Sequence, residues 1–203
     1  MATKRIKLGM IGGGHGAFIG IVHRIAAYMG EDFNLIGGAF DIDHRQSQDF
    51  AAGLELDPSR IYDSIDTLIA QENKLPEQDR MEVIVVVTPN YLHYPMAEKL
   101  IKGRFHVICE KPVTTTYEEA LDLQQLVKEY GVVFCLTHTY TGYPMVRQMK
   151  SMLKEGVIGG IQKVDAQYYQ GWINPLIHDK EKRNTVWRLD TEKAGLSCCK
   201  GDI

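Results

Sequence analysis

The sequence has no apolar run long enough to cross a membrane as a helix. Its uninterrupted apolar stretches are no longer than VIVVV at residues 83–87, whereas a spanning helix needs roughly 20 such residues. The first residues, MATKRIKLGM, place basic residues before apolar ones as a signal peptide does, but IGGGHG then interrupts the apolar region. These absences predict a cytoplasmic protein without a membrane partner.

The sequence also has few cysteines and a small net charge. The four cysteines are Cys109, Cys135, Cys198 and Cys199. None belongs to a Cys-x-x-Cys pair or lies at zinc-ligand spacing with histidines, so we predict reduced thiols and no metal site. A net charge of -3 at pH 7 provides no general attraction to nucleic acid. A small or neutral molecule is therefore the expected partner.

Apolar segments with strand and helix patterns alternate through most of the chain. This alternation predicts a doubly wound α/β domain with a parallel Rossmann sheet, over residues 1–145. The predicted strands are residues 6–11, 33–40, 83–87, 105–109 and 132–136, with a weak one at 61–62. The predicted helices are residues 17–29, 44–52, 66–71, 92–102, 116–130 and 145–156.

The pattern changes after residue 145. IQKVDAQYY at residues 161–169 mixes apolar, polar and aromatic side chains, as a half-exposed strand does. We therefore expect residues 146–203 to begin a second domain of the α+β type. Its sheet should be open and mostly antiparallel.

A glycine-rich turn follows the first predicted strand. In GGGHGA, the residues Gly12, Gly14 and Ala17 occupy the small positions of a Gly-x-Gly-x-x-Ala pattern, around His15 and Gly16. The first glycine permits a tight turn, the second lets backbone approach a pyrophosphate, and the alanine lets the helix pack closely on the strand. A plain glycine-rich turn is the alternative, but the flanking strand and helix favour a dinucleotide cofactor.

The end of the second predicted strand indicates which cofactor binds. Asp41 lies where a carboxylate can accept both ribose hydroxyls of adenosine, and its charge would repel a 2'-phosphate. Arg45 lies just beyond and could instead pair with a 2'-phosphate. We favour NAD over NADP.

Polar residues follow the central predicted strand. Thr88, Pro89 and Asn90 end that strand, and His93 lies one turn further on. Because ligands of parallel sheets bind beyond the carboxyl ends of the strands, we expect these four residues to face the middle of the cofactor. The alternatives are an ordinary helix start and a histidine on a helix surface.

The next strand ends in Glu110, Lys111 and Pro112. A surface salt bridge beside a turn is one interpretation. The other is that Lys111 projects into a cleft beside the nicotinamide, where its charge or proton assists oxidation of an alcohol. Proline fixes the backbone after the lysine, and the peptide bond before it can be cis.

Four segments together resemble the glucose-fructose oxidoreductase, inositol dehydrogenase and MocA family of NAD(P)-dependent oxidoreductases. They are IGGGHGAFIG, TPNYLHYPMAEKLIKG, CEKP and THTYTGYP, and the likeness runs from about Lys7 to Ile203. The resemblance implies that Lys111 is a catalytic residue beside the nicotinamide, and that Glu110 helps to place it there.

The resemblance also implies residues on the substrate side. Asp202 matches a catalytic aspartate of the family. In the family, a histidine lies four residues after this aspartate. That histidine position falls beyond Ile203, so the chain is expected to be a truncated product or fragment of a longer enzyme. His138 is expected near the substrate, and Arg188 beside Trp187 could orient substrate hydroxyls or be a surface arginine packed on the ring. Full-length relatives often form oligomers, so we expect a homo-oligomer.

Three functions are compatible with these residues. The first is hydride transfer between NAD(P) and a secondary alcohol of a sugar, cyclitol or similar polyol. The second is nucleotide binding without catalysis, because the expected histidine is absent from this chain. The third is lyase or glycosidase chemistry, in which NAD is reduced and reoxidised within one catalytic cycle.

Overall fold

A computed structural model describes residues 4–169, 171–177, 179, 181, 186 and 189–194. Five strands form one sheet in the order β2-β1-β3-β4-β5, and every neighbouring pair is parallel. The predicted doubly wound α/β fold is therefore confirmed. The strands are β1 (Ile6–Gly12), β2 (Phe33–Ala39), β3 (Val83–Val87), β4 (His106–Glu110) and β5 (Phe134–Thr137).

Helices connect successive strands and cover both faces of the sheet. They are α1 (Phe18–Gly30), α2 (His44–Ala52), α3 (Ile65–Glu72), α4 (His93–Lys102), α5 (Tyr117–Tyr130), α6 (Pro144–Lys154), α7 (Asn174–Ile177) and α8 (Thr191–Ala194). Shorter 3-10 turns occupy Pro58–Arg60, Asn90–Leu92, Thr139–Gly142 and Gly171–Ile173. Within the described ranges, no helix combines the length and the apolar character that a membrane crossing requires. The cytoplasmic location stays a prediction.

The five residues of β3 are all buried, as expected for a strand covered on both faces. Two apolar layers pack on it from opposite sides. One layer contains Leu68, Ile84, Val86, Leu100, Ile101, Phe105 and Leu123, and the other contains Leu8, Met10, Phe40, Ala51, Val83, Val85 and Val87. This packing fixes β3 as the centre of the domain.

The chain reverses its direction of travel across the sheet between β1 and β3. From β1 it goes outward to β2, and it then returns to pair β3 with the other edge of β1. Connections from two adjacent strands leave in opposite directions at this point, which opens a crevice beyond their carboxyl ends. The glycine-rich turn and Thr88 lie there.

Two strand predictions differ from the structure. Residues 161–169 are exposed and have no regular secondary structure, so the strand predicted there is wrong. A strand needs a neighbour to satisfy its backbone groups, and the described part of the chain offers none to this segment. The weak strand at residues 61–62 is reduced to one bridge between Ile61 and Gly38. The second domain and its boundary at residues 145 and 146 stay predictions.

A buried ion pair holds the segment between β2 and α3. Glu72 is fully buried, and both of its carboxylate oxygens accept from the Arg60 guanidinium, at 2.8 and 2.7 Å. Tyr62 Oη also donates to this carboxylate at 2.5 Å, and the Met81 backbone N–H donates at 2.7 Å. The network anchors the segment immediately before Asp63, which lines the cleft described below.

Replacing Glu72 tests this anchor. The variant Glu72→Gln keeps the side-chain shape but leaves the Arg60 guanidinium without its counter-charge, so we expect a loss of about 3 kcal/mol in the free energy of unfolding. Urea denaturation measures it. The matched control is Glu98→Gln, which breaks the partly exposed pair of Glu98 with Lys102 and should change stability much less. Equal losses in the two variants would contradict a special role for the buried pair.

Candidate functional site

A cleft of about 1300 Å³ lies beyond the carboxyl ends of β1, β3 and β4. The predicted site residues that line it are Gly12, Gly14, His15, Gly16, Ala17, Asp41, Thr88, Pro89, Asn90, His93, Glu110, Lys111 and His138. The structure thus brings the glycine-rich turn and the Glu-Lys-Pro motif to one cavity. Arg45 is exposed and lies outside the lining.

The glycine-rich turn is held against the ends of two neighbouring strands. Gly12 has a φ of +78°, and a Cβ there would lie 2.9 Å from the Val87 carbonyl oxygen. The N–H of Gly14 donates to the Phe40 carbonyl oxygen at 3.2 Å, and a Cβ on Gly14 would lie 2.7 Å from that same oxygen. Gly14 is therefore needed for packing on the end of β2, in addition to the predicted approach to phosphate.

The N-terminus of α1 is suited to an anion. Its N-cap residue is Ala17, which provides no capping side chain, and the first turn contains no acidic residue. By contrast, α5 begins with a complete capping box of Thr116 and Glu119. Within the described part of the chain, the N–H groups of His15 and Gly16 donate to no protein acceptor. These donors and the positive end of the helix dipole fit a pyrophosphate.

Two residues of α1 that the sequence analysis missed fix the shape of the turn. A Cβ on Gly20 would lie 2.5 Å from the Cα of Gly13, so helix α1 approaches the turn closely at Gly20. The Arg24 guanidinium donates to the Gly13 carbonyl oxygen at 2.8 Å. A glycine inside an apolar helical pattern was the available signal, since such a residue often has a packing reason.

The other end of the cleft presents Asp41 and apolar surface. One carboxylate oxygen of Asp41 accepts the Asp43 N–H at 2.9 Å, which leaves the second oxygen for a ribose hydroxyl. Ile42 is 100% exposed and lines the cleft. The His15 ring is oriented by Asp49, with its Nε2 at 3.2 Å from the carboxylate.

The strand end that carries Lys111 is supported from α1. Glu110 is buried, and its Oε1 contacts His23 Nε2 at 2.8 Å, while its Oε2 accepts the Lys111 N–H at 3.2 Å. Burial alone would raise the pKa of the Glu110 carboxyl, but the hydrogen bond and charge of His23 and the Lys111 N–H lower it below its ordinary value. The peptide bond between Lys111 and Pro112 is cis. His23, a polar residue in an apolar helix, was missed in the sequence.

Two of the predicted cofactor contacts make internal hydrogen bonds. His93 is 1% exposed, and its ring nitrogens face the carbonyl oxygens of Thr88 at 2.9 Å and of Pro112 at 2.6 Å. Burial lowers the pKa of the His93 imidazole, and the two carbonyl oxygens oppose that effect. The side-chain amide of Asn90 donates to the Ala194 carbonyl oxygen at 3.1 Å. Both side chains therefore support the walls of the cleft.

Aromatic side chains line the cleft next to His138. Tyr140 and Tyr143 belong to this lining, and their rings meet edge to face at 5.5 Å. The hydroxyl of Tyr140 also contacts that of Tyr168 at 2.7 Å. Tyr140 and Tyr143 belong to the segment THTYTGYP, and the sequence alone predicted no role for them.

Three predicted site residues, namely Trp187, Arg188 and Asp202, lie outside the described residues. Their predicted roles stay predictions.

The sheet, the uncapped helix and the glycine-rich turn define a dinucleotide-binding Rossmann domain. Residues 6–138 match GFO_IDH_MocA, described as an oxidoreductase family with an NAD-binding Rossmann fold. The chain belongs to this family. The match confirms the predicted family and its NAD-binding fold.

Two relatives of known sequence agree with this assignment. The oxidoreductase YfiI of Bacillus subtilis (strain 168) is 36% identical over 202 residues, covering 99% of this chain and 51% of its own length. A 2,7-anhydro-N-acetylneuraminate hydratase of Escherichia coli (strain K12) is 35% identical over 115 residues, covering 57% of this chain and 29% of its own.

Solved structures show the same similarity. An inositol dehydrogenase homolog from Azotobacter vinelandii, complexed with NAD⁺, superposes with a TM-score of 0.90 at 34% identity, covering 99% of this chain and 51% of the other. Its complex with NADH and myo-inositol gives 0.76 at 35% identity, covering 78% and 41%. The chain thus spans about half the length of these relatives.

The variant Gly20→Ala tests the shape of the turn. Its methyl group would meet Gly13 and push the turn away from α1, so we expect NADH affinity, measured by fluorescence titration, to fall about tenfold or more. Gly53→Ala is the matched control, because it adds the same methyl group at the end of α2 with only an ordinary contact. Unchanged affinity in Gly20→Ala would contradict the role of this contact.

The lowered pKa of Glu110 predicts a pH dependence of stability. A carboxyl whose folded-state pKa is depressed stabilises the protein above its unfolded pKa of about 4.3, and this contribution is lost as pH falls through the folded pKa. Glu110→Gln should therefore reduce the free energy of unfolding at pH 7, and the difference from the native chain should shrink below about pH 4.3. Urea denaturation across this range measures it, with exposed Glu129→Gln as control. A pH-independent difference would contradict the prediction.

Proposed function

We propose that the cleft binds NAD with its pyrophosphate on the α1 N-terminus, its adenosine beside Asp41 and its nicotinamide beside Lys111. The observation that carries this proposal is that the uncapped helix, the acidic strand end and Lys111 belong to one cavity. The spacing between them follows from the sheet order, since β3 separates β1 from β4.

The proposed reaction is hydride transfer between NAD and a secondary alcohol. Oxidation of such an alcohol removes a hydride from carbon and a proton from oxygen, and NAD supplies the hydride acceptor when bound. The charged amino group of Lys111, placed beside the oxygen, would stabilise the developing negative charge, and in its neutral form the same group would accept the proton that leaves the oxygen. Asp202 is proposed as a second polar group on the substrate side, from the resemblance alone.

The proposed substrate is a sugar, cyclitol or similar polyol. A solved relative is complexed with myo-inositol, and the cleft of this chain presents His138, Tyr140 and Tyr143 at the same end as Lys111. Tyrosine rings offer apolar faces to the C–H groups of a sugar, and their hydroxyls can bond its oxygens. Residues 146–203 are proposed to begin the second domain, and assembly into a homo-oligomer stays a prediction.

A second candidate is lyase or hydratase chemistry with internal reoxidation of NAD. The similarity to the Escherichia coli hydratase supports this second candidate. Both candidates use the same cofactor site, but only the dehydrogenase accumulates NADH in proportion to the polyol consumed. A protein that binds nucleotide without catalysis would neither accumulate NADH nor convert the polyol.

Titration with NADH and NADPH tests the cofactor proposal on the chain itself. We expect NADH to bind more tightly than NADPH, and Asp41→Ala to weaken NADH by about 10- to 100-fold through loss of charge-assisted bonds to ribose. Nicotinamide fluorescence reports binding. The control Asp57→Ala removes a similar carboxylate-to-backbone bond, made to Ser59, away from the cleft lining. Preference for NADPH, or no effect of Asp41→Ala, would contradict the proposal.

A further inference from the structure

The backbone that follows Lys111 has few means of being held. β4 ends at Glu110, so Lys111 and Pro112 lie beyond the ladder that fixes the strand. Proline has no N–H to donate, which leaves its carbonyl oxygen as its only backbone hydrogen-bonding group. That oxygen accepts from His93 Nδ1 at 2.6 Å.

The same imidazole ring reaches the neighbouring strand end. His93 Nε2 lies 2.9 Å from the carbonyl oxygen of Thr88, the residue directly after β3. A carbonyl oxygen can only accept a hydrogen bond, so each contact requires a ring N–H group. A neutral ring carries one N–H and donates to one of the two carbonyl oxygens, whereas a protonated ring donates to both. His93 is the first residue of α4 and is only 1% exposed, so the surrounding side chains restrict the movement of its ring.

The chain just before this point is also anchored by a histidine. The Lys111 N–H donates to Glu110, and Glu110 in turn contacts His23 of α1. Lys111 is thus bounded on one side by the His23–Glu110 contact and on the other by the His93–Pro112 contact. Buried polar groups are normally hydrogen-bonded, and such bonds can hold the backbone of a functional residue in place.

We propose that His93 is a positioning residue for Lys111: its imidazole lies between the carbonyl oxygens of Thr88 and Pro112, donates to the Pro112 carbonyl at the shorter contact, and so holds the lysine backbone beside the end of β3. The proposal rests on the proposed function in giving Lys111 its place beside the nicotinamide. His93 itself acts through Lys111 and needs no contact with cofactor or substrate.

The first experiment needs no cofactor. Backbone order parameters from ¹⁵N relaxation are measured for the amides of Lys111 and Val113 in the native chain and in two variants, His93→Gln and His93→Leu. Gln keeps a donor nitrogen at one end of its side chain, and Leu keeps no donor. We expect values of about 0.85 in the native chain, about 0.6 in His93→Leu and an intermediate value in His93→Gln, with the β3 amides unchanged.

The matched control is His106→Gln. His106 Nδ1 also bonds a backbone group, the Val133 N–H at 3.0 Å, but it lies at the start of β4, away from the cleft. It should leave Lys111 and Val113 unchanged. Unchanged order parameters in His93→Leu, or an equal loss throughout the sheet, would overturn the proposal, because the ring would then be dispensable or merely part of the core.

The second experiment asks whether His93 acts through Lys111. NADH affinity is measured for the native chain, His93→Gln, Lys111→Ala and the double variant. We expect His93→Gln to weaken NADH several-fold, about fivefold, in the native background and less than about twofold when Lys111 is already alanine. Equal effects in both backgrounds would overturn the positioning role. If the native chain binds no NADH, the proposed function fails, and the order parameters alone decide the role of His93.

Discussion

Parallel pairing of β1, β3 and β4 is the constraint on which the site depends. The register places Gly12 opposite Val87 and Val86 opposite Cys109, so the three strands end at nearly the same level. The glycine-rich turn, Thr88 and Lys111 therefore emerge at one edge of the sheet, although they are far apart in sequence. Because all five residues of β3 are buried, a shift of this register would bring a flanking polar residue, Glu82 or Thr88, into the apolar core, and packing thus protects the geometry of the cleft.

Polar side chains beneath the cleft hold Lys111 and the glycine-rich turn in defined positions. Glu110, His23 and His93 are mostly buried, and buried polar groups are costly unless they are paired. Glu110 pairs with His23 and the Lys111 N–H, and His93 contacts the carbonyl oxygens of Pro112 and Thr88, so satisfying these groups also fixes the backbone around the lysine. Arg24 has the corresponding role at the glycine-rich turn, through the Gly13 carbonyl. The same contacts therefore contribute to folding and to the arrangement of the cofactor site.

The sequence predicted the features that arise from local patterns. VIVVV identified β3, the capping box at Thr116 identified the start of α5, and the glycine spacing identified the turn before α1. It did not reveal contacts between distant elements, such as Gly20 against Gly13 or His23 with Glu110. Such contacts depend on how helices pack on the sheet, which single-residue patterns do not encode. The prediction of a strand at residues 161–169 was wrong for a related reason, because a strand requires a neighbouring strand as well as a suitable composition.

We propose that one cleft holds a dinucleotide from the α1 N-terminus to Lys111. The most direct measurement compares amide chemical shifts on titration with ADP-ribose, which lacks nicotinamide, and with NAD⁺. We predict that both ligands shift the amides of His15 and Gly16, whereas only NAD⁺ shifts that of Lys111. Shifts with NAD⁺ that leave Lys111 unchanged, or that cluster at the opposite edge of the sheet around Arg104 and His106, would contradict the account.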